Sequence, residues 1–271
     1  MIESVFKMKP ESFDAVFRAF VEKEMSKVCL SPTPLVRHQD VVEKQVADNP
    51  AVVELHIELA RIKVVRGDLT GAALAAGEAL RLEPDNARAN TVLGLVRLAQ
   101  RNSTDARKAF EKALRLDSKE VDALRGLAKI CRGEKKSDEE LAHLEKLQKL
   151  EPLNPGVHRS IARIHLKKNN ERPLVASLAK TAELDSQDYA SRRELVRLMM
   201  ARTDYHSAAR YIDEAVAIWP YDRQLHEWAA VAFGKLGKTE RAEREKALVP
   251  FSKTYRRGLR KPPKPERPVE H

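Results

Sequence analysis

The sequence predicts an all-helical fold, a stack of antiparallel helix pairs, and three observations carry that prediction. Pro50, Pro84, Ser118, Pro152, Ser186 and Pro220 follow one another at steps of 34 residues. Two places before five of them stands an apolar residue: Leu82, Leu116, Leu150, Leu184 and Ile218. Between these marks, apolar residues recur three, four and seven apart, the spacing of one helix face. A fixed period of this length belongs to stacked repeats, each of which buries its apolar face only against its neighbours.

Taken in order, residues 1–48 read as an amino-terminal helical cap or degenerate repeat. An amphipathic helix is expected over 11–28 through Phe13, Phe17, Phe20, Val21 and Val28, broken at Ser31-Pro32-Thr33-Pro34. A second runs through Leu35, Val42 and Val46 to Pro50. Residues 49–249 hold the repeats. Their first helices carry Leu59-Ala60, Leu93-Gly94, Leu127-Ala128, Ile161-Ala162 and Leu195-Val196 at equivalent places, each followed three residues on by another apolar residue. A small residue after a large one lets a neighbouring helix come close. Their second helices carry Ala72 and Ala79, then Ala106, Phe110 and Ala113, then Ala208, Ile212 and Ala215.

Turns between paired helices are expected at Gly67-Asp68, Asn102-Ser103, Gly133-Glu134, Asn169-Asn170, Thr203-Asp204 and Gly237-Lys238. The closing prolines stop helices by removing a donor and disfavouring helical backbone just before them. The last pair, from Arg223 to about Leu248, holds Trp228 and Phe233 and caps the array. Residues 250–271 form a Pro-rich tail with seven Lys or Arg against two Glu, expected to lack packed structure.

Composition narrows the classes. Fifty Lys or Arg stand against 40 Asp or Glu in 271 residues, a formal charge of +10. No run of about 18 uncharged apolar residues exists, and the opening Met1-Ile-Glu-Ser-Val-Phe-Lys7 lacks the pattern of a secretory signal. With only Cys29 and Cys131, a disulfide scaffold and a four-thiolate zinc site are excluded. The expected compartment is the cytoplasm.

The repeats resemble those of the tetratricopeptide family. The second unit matches best, with Leu93, Gly94, Ala106, Phe110, Ala113 and Ser118 where the family usually closes on Pro; the fifth, with Ala208, Ala215 and Pro220, is also close. The third and fourth depart from it, with Glu140 and Leu174 at a place for Ala and Leu147 and Thr181 at the later small position. The resemblance covers roughly residues 50 to 249 and implies a right-handed α-solenoid that binds proteins rather than an enzyme.

No residue pattern points to catalysis. There is no phosphate-cradling Gly-rich loop, no Gly-x-Ser-x-Gly elbow and no Cys-x-x-Cys, and His226-Glu227 lacks the second His of a zinc-protease helix. His56, His158 and His226 occupy one repeat position, where the family usually has Trp. Whole repeats apart, they cannot share a metal, since a stack advances about 10 Å per helix layer. His158 and His165 lie seven apart on one helix; they read as packing residues. Cys29 and Cys131, three periods apart, stand beyond disulfide reach. No cofactor and no metal are expected.

One constellation stands out. In the family the first helices line a concave groove, into which the second, fifth, ninth and twelfth residues point. In three consecutive units the fifth and ninth places are Arg125 and Lys129, Arg159 and Arg163, and Arg193 and Arg197, with Arg132 and Lys167 extending the stripe. Residues four apart share a helix face. The resemblance thus implies a scaffold or adaptor that holds an acidic peptide or helix of a protein partner, with Arg forks taking carboxylates. The opposing reading is a solvated face balanced locally by Asp122 and Glu194. The ninth places, Arg61, Leu95, Lys129, Arg163 and Arg197, contain no Asn, which argues against a clamp for chaperone tails. On the acidic-partner reading, reversing Arg163 and Arg197 to Glu weakens binding and leaves the fold intact. Alternatives are a nucleic-acid-associated protein using the groove and tail, and a structural component of a bacterial pilus or secretion assembly. Self-association through the terminal helices, above all the Phe13-Phe17-Phe20 face, is a further expectation.

Overall fold

A computed structural model describes residues 39–258 of the chain. The readings placed on 1–38, including Cys29 and the Phe13-Phe17-Phe20 face, and on the tail after Gly258 lie outside the described residues. Within them the chain forms thirteen α-helices and no strand. It divides at Lys136 and Ser137 into two compact units.

The amino-terminal unit contains α1 (Gln39–Asp48), α2 (Val53–Arg66), α3 (Leu69–Leu82), α4 (Ala87–Ala99), α5 (Ser103–Leu116) and α6 (Val121–Gly133). Helices α2 and α3, and α4 and α5, pair across short turns, and α2, α4 and α6 touch in succession. These first helices of each repeat are called A helices below, and their partners B helices. The core of this unit follows the alanines of α3, Ala72, Ala76 and Ala79, which let α2 and α4 close on them. Further along, the Phe110 ring of α5 fills the gap between α4 and α6. The space exists because Gly94 and Gly126 face the ring: a Cβ on either would lie about 2.5 Å from its carbons. The small residue after Leu93 is therefore an aromatic seat.

The carboxy-terminal unit contains α7 (Ser137–Leu150), α8 (Pro155–Lys167), α9 (Glu171–Leu184), α10 (Tyr189–Ala201), α11 (Tyr205–Ile218), α12 (Arg223–Lys235) and α13 (Thr239–Gly258). Here α8 pairs with α9, α10 with α11 and α12 with α13, around a core that includes Leu178, Leu195, Ile212, Leu225 and Phe233. Pro250 lies inside α13, so the last helix passes the point where the sequence suggested a tail, and Ser252 is buried with its hydroxyl donating to the Leu248 carbonyl at 3.0 Å.

The turns between A and B helices share one device. Gly67, Arg101, Lys135, Asn169, Thr203 and Gly237 all take positive φ, between 55° and 85°, one per repeat at the same register. Only Gly adopts that backbone without steric cost. The period, rather than residue type, sets the place, so the turn falls on Arg101 and Lys135 although Asn102 and Gly133 are the better turn formers nearby.

A second device recurs at the fourth place of the A helices. His56, His158 and His226 are buried, and each Nε2 donates to the carbonyl of the closing proline six residues back, Pro50, Pro152 or Pro220, at 2.8 Å. Asn90 does the same to Pro84 at 3.3 Å. In α10 the place is Arg192, whose guanidinium donates to the carbonyls of Ala182, Asp185 and Asp188 and to the Glu214 carboxylate. The histidines thus satisfy backbone groups that a helix end would otherwise bury unpaired.

Candidate functional site

The residues of the expected stripe fall in both units, and each unit supplies their partners separately. On α6, Arg125, Lys129 and Arg132 are exposed. Arg125 Nη1 donates to Asp122 Oδ1 at 2.9 Å, and Arg61 of α2 pairs with the other oxygen of the same carboxylate. Asp122 thereby ties two A-helix arginines of the amino-terminal unit. Lys129 has no ion-pair partner among the described residues.

In the carboxy-terminal unit the arginines meet Glu194, which the sequence offered as a local balance, and four carboxylates that sequence reasoning missed: Glu140, Asp185, Asp188 and Asp222. Arg159 of α8 donates from Nε and Nη2 to Asp188 Oδ2, at 3.2 and 3.1 Å, and from Nη2 to Asp185 at 2.9 Å. Arg193 of α10 donates from Nε to Asp222 at 2.7 Å. These are equivalent contacts: Asp188 and Asp222 are the N-caps of α10 and α12, each 29 residues after its arginine. The fifth-place arginine of one repeat thus grips the cap of the next A helix. Arg163 pairs with Glu140 of α7, the residue at the expected Ala position, which is buried. Arg197 embraces Glu194, one turn back, through Nε and Nη2. Lys167 is exposed at the end of α8 and has no ion-pair partner among the described residues.

Electrostatics follow from burial. Asp222 is 4% exposed. Burial pushes its pKa up, but the Tyr189 hydroxyl at 2.6 Å and the Arg193 guanidinium outweigh that and hold it below the ordinary carboxylate value. Asp188 behaves alike: burial raises it, and the Ser191 hydroxyl and amide with Arg159 bring it down further. Burial first, then the bond to Asp222, drives the Tyr189 phenol well above its usual value. Within this unit four guanidiniums, those of Arg159, Arg163, Arg193 and Arg197, therefore face the carboxylates of Asp185, Asp188, Glu140, Asp222 and Glu194. Local charge on this stretch is compensated, by Glu194 on the same helix and by four carboxylates from elsewhere in the unit.

What remains open to a ligand is specific. The side chains of Arg159, Arg163, Arg193 and Arg197 are 49%, 33%, 39% and 45% exposed. Each is held through Nε, Nη2 or both, and in each Nη1 makes no hydrogen bond among the described residues. A guanidinium has five donors and accepts nothing, so one carboxylate does not exhaust it. Beside them, Arg193 lies over the Trp228 ring of α12, 5.4 Å from its centroid.

The remaining singled-out residues take structural places. His165 is partly buried; burial pushes its pKa below the ordinary value, and its Nδ1 finds no hydrogen-bond partner among the described residues. Cys131 is buried on α6. Among the described residues, no cluster of three His, Cys, Asp or Glu is arranged to hold a metal, and no helix is long and apolar enough to cross a membrane.

Antiparallel helix pairs renewed every 34 residues, with A helices in contact along α2, α4 and α6 and between α10 and α12, define a helical-repeat solenoid. Residues 57–118 and 91–156 match the tetratricopeptide repeat family model. Residues 57–156 are thus tetratricopeptide repeats, and the other described residues share their paired-helix fold. Solved structures of the same architecture include YrrB, a tetratricopeptide repeat protein described as having an unusual peptide-binding site. It is 19% identical, with 69% of this chain and 96% of that one covered, at a TM-score of 0.54. The pilF protein of Pseudomonas aeruginosa is 19% identical over 76% of this chain and 96% of that one, at 0.52. The carboxy-terminal part of a repeat protein from Cytophaga hutchinsonii is 12% identical over 82% and 89%, at 0.57. At these identities the likeness is one of fold. Among curated proteins no sequence relative was found.

Proposed function

We propose that the chain is a protein-interaction scaffold whose A-helix face takes an acidic segment of a partner, extended or helical. The observation that carries this reading is the set of four half-exposed guanidiniums in the carboxy-terminal unit, each held in place by a carboxylate and each with Nη1 open. A positioned donor loses less freedom on binding than a loose side chain. Because the nearby charge is compensated, orientation of carboxylates matters more here than long-range attraction. Lys167, in the same unit, adds a cation that has no ion-pair partner among the described residues. The YrrB likeness supports the reading only as a precedent for peptide binding on this fold.

A clean test is titration of the intact chain with a synthetic Glu-rich dodecapeptide, read by calorimetry. Arg197→Ala suits it, since Glu194 lies on the same helix and is partly exposed, so the fold loses little. Its loss should weaken binding about tenfold, the worth of one charged hydrogen bond. Unchanged affinity, or equal binding of duplex DNA with a steep salt dependence, would overturn the proposal.

A further inference from the structure

The A-helix face changes chemistry at α12. At the fifth and ninth places, where α8 and α10 carry arginines, α12 carries Glu227 and Val231. A wholly acidic segment that fits α10 has no cation to meet at these two places one helix further on. What α12 offers instead is apolar. Val231 is 49% exposed, and Trp228, one helical turn before it and so on the same side, is only partly buried. The Trp228 ring is fixed from two sides: it packs against the core of the unit, and the Arg193 guanidinium, itself bonded to Asp222, lies over it. Cation–π contact of this kind holds both groups in register. Tryptophan beside arginine is also the composition in which interface energy concentrates.

Resting on the reading above, we propose that the partner is an acidic segment that also carries a bulky apolar side chain, and that this side chain seats on the Trp228–Val231 surface while a neighbouring carboxylate takes the open edge of Arg197 or Arg193. Spacing supports one arrangement. Adjacent packed helices lie about 10 Å apart, and an extended chain advances about 3.3 Å per residue. For Arg197, which stays on α10 beside Glu194, the carboxylate and the apolar side chain are therefore three residues apart.

The test uses two dodecapeptides of equal charge, one repeating Glu-Ser-Ser-Leu and one repeating Glu-Ser-Ser-Ser. The chain has two tryptophans, so Trp219→Phe leaves Trp228 as the sole tryptophan, excited selectively at the red edge where its five tyrosines do not absorb. The leucine peptide should change Trp228 emission and bind at least about tenfold more tightly than the serine peptide, as expected for covering one leucine side chain. In Val231→Asp, on an exposed site that leaves the core untouched, that preference should disappear. Equal affinity of the two peptides would overturn this inference and leave the acidic-segment reading standing, as would a preference that survives Val231→Asp. Binding of neither peptide would overturn both.

Discussion

Asp222 is the single carboxylate on which the inter-repeat contact can be tested most sharply. It is buried and receives four hydrogen bonds: Oδ1 takes the Gln224 and Leu225 amides at 2.9 and 3.4 Å, and Oδ2 takes Tyr189 Oη at 2.6 Å and Arg193 Nε at 2.7 Å. Asp222→Ala removes a helix N-cap, worth about 1 kcal/mol, and a charged acceptor for a half-buried phenol, worth about 1.5–3 kcal/mol. The Arg193 pair adds only about 0.5 kcal/mol, because that side chain is more than a third exposed and solvent screens it. A loss of about 3–4.5 kcal/mol is expected for alanine. Asn caps the equivalent places at Asn86 and Asn154, so Asp222→Asn should keep the cap and lose about 1–2 kcal/mol.

The pH dependence has a definite sign. The Asp222 carboxyl titrates lower in the folded chain than its unfolded value of about 3.9. Its contribution is complete above that value and disappears as pH falls through the folded one. The gap between wild type and Asp222→Asn should therefore be full at pH 7 and close on acidification below about pH 4. Because repeats unfold in part, hydrogen exchange of the α12 amides should accompany urea unfolding followed by circular dichroism. An alanine variant within about 0.5 kcal/mol of wild type, or a gap unchanged in strong acid, would refute the argument.

Other expectations follow from the same contacts. Gly94→Ala and Gly126→Ala should each destabilise by about 1–3 kcal/mol in thermal or urea unfolding, despite the better helix propensity of Ala, because the new Cβ meets the Phe110 ring. Gly77→Ala, on an open face of α3, should stabilise by up to about 1 kcal/mol. Thr203→Gly should stabilise by roughly 0.5–1 kcal/mol, since a β-branched residue stands at φ 57° in its turn. Arg163→Glu, which charge alone presented as a binding mutant that spares the fold, should lower the melting temperature by several degrees. It sets a second carboxylate against the buried Glu140, whereas Arg197→Ala should leave the melting temperature nearly unchanged.

Much of the architecture is written in the period. The closing prolines, the small-after-large pairs and the alanine faces placed every helix of the repeats, and Phe110 opposite Gly94 and Gly126 shows why the pairing works. The turn residues were legible where glycine or asparagine coincides with the register, as at Gly67 and Asn169, and not where Arg101 or Lys135 is carried into left-handed backbone by the repeat. The helix that passes Pro250 escaped because a proline removes one backbone bond without compelling an end.

The site divides in the same way. The arginine positions follow from helix spacing and can be read directly. Their neutralisation can be read only in part: Asp122 and Glu194 stand one turn away on the same helices, but Glu140 comes from the preceding B helix and Asp188 and Asp222 from caps 29 residues on. The signal that could have revealed them was the recurrence itself, Arg159 to Asp188 repeated as Arg193 to Asp222. Trp228 was noted as part of a cap, and its contact with Arg193 becomes visible only when α10 and α12 are placed side by side.

Hydrogen exchange of the intact chain, with and without saturating leucine-bearing acidic peptide, bears most directly on the claim that partners are held on the A helices. Slowed exchange should appear in α8, α10 and α12, centred on Arg159, Arg197 and Trp228, and be weak or absent in α9, α11 and α13. Protection confined to those B helices, or none under saturation, would contradict the account.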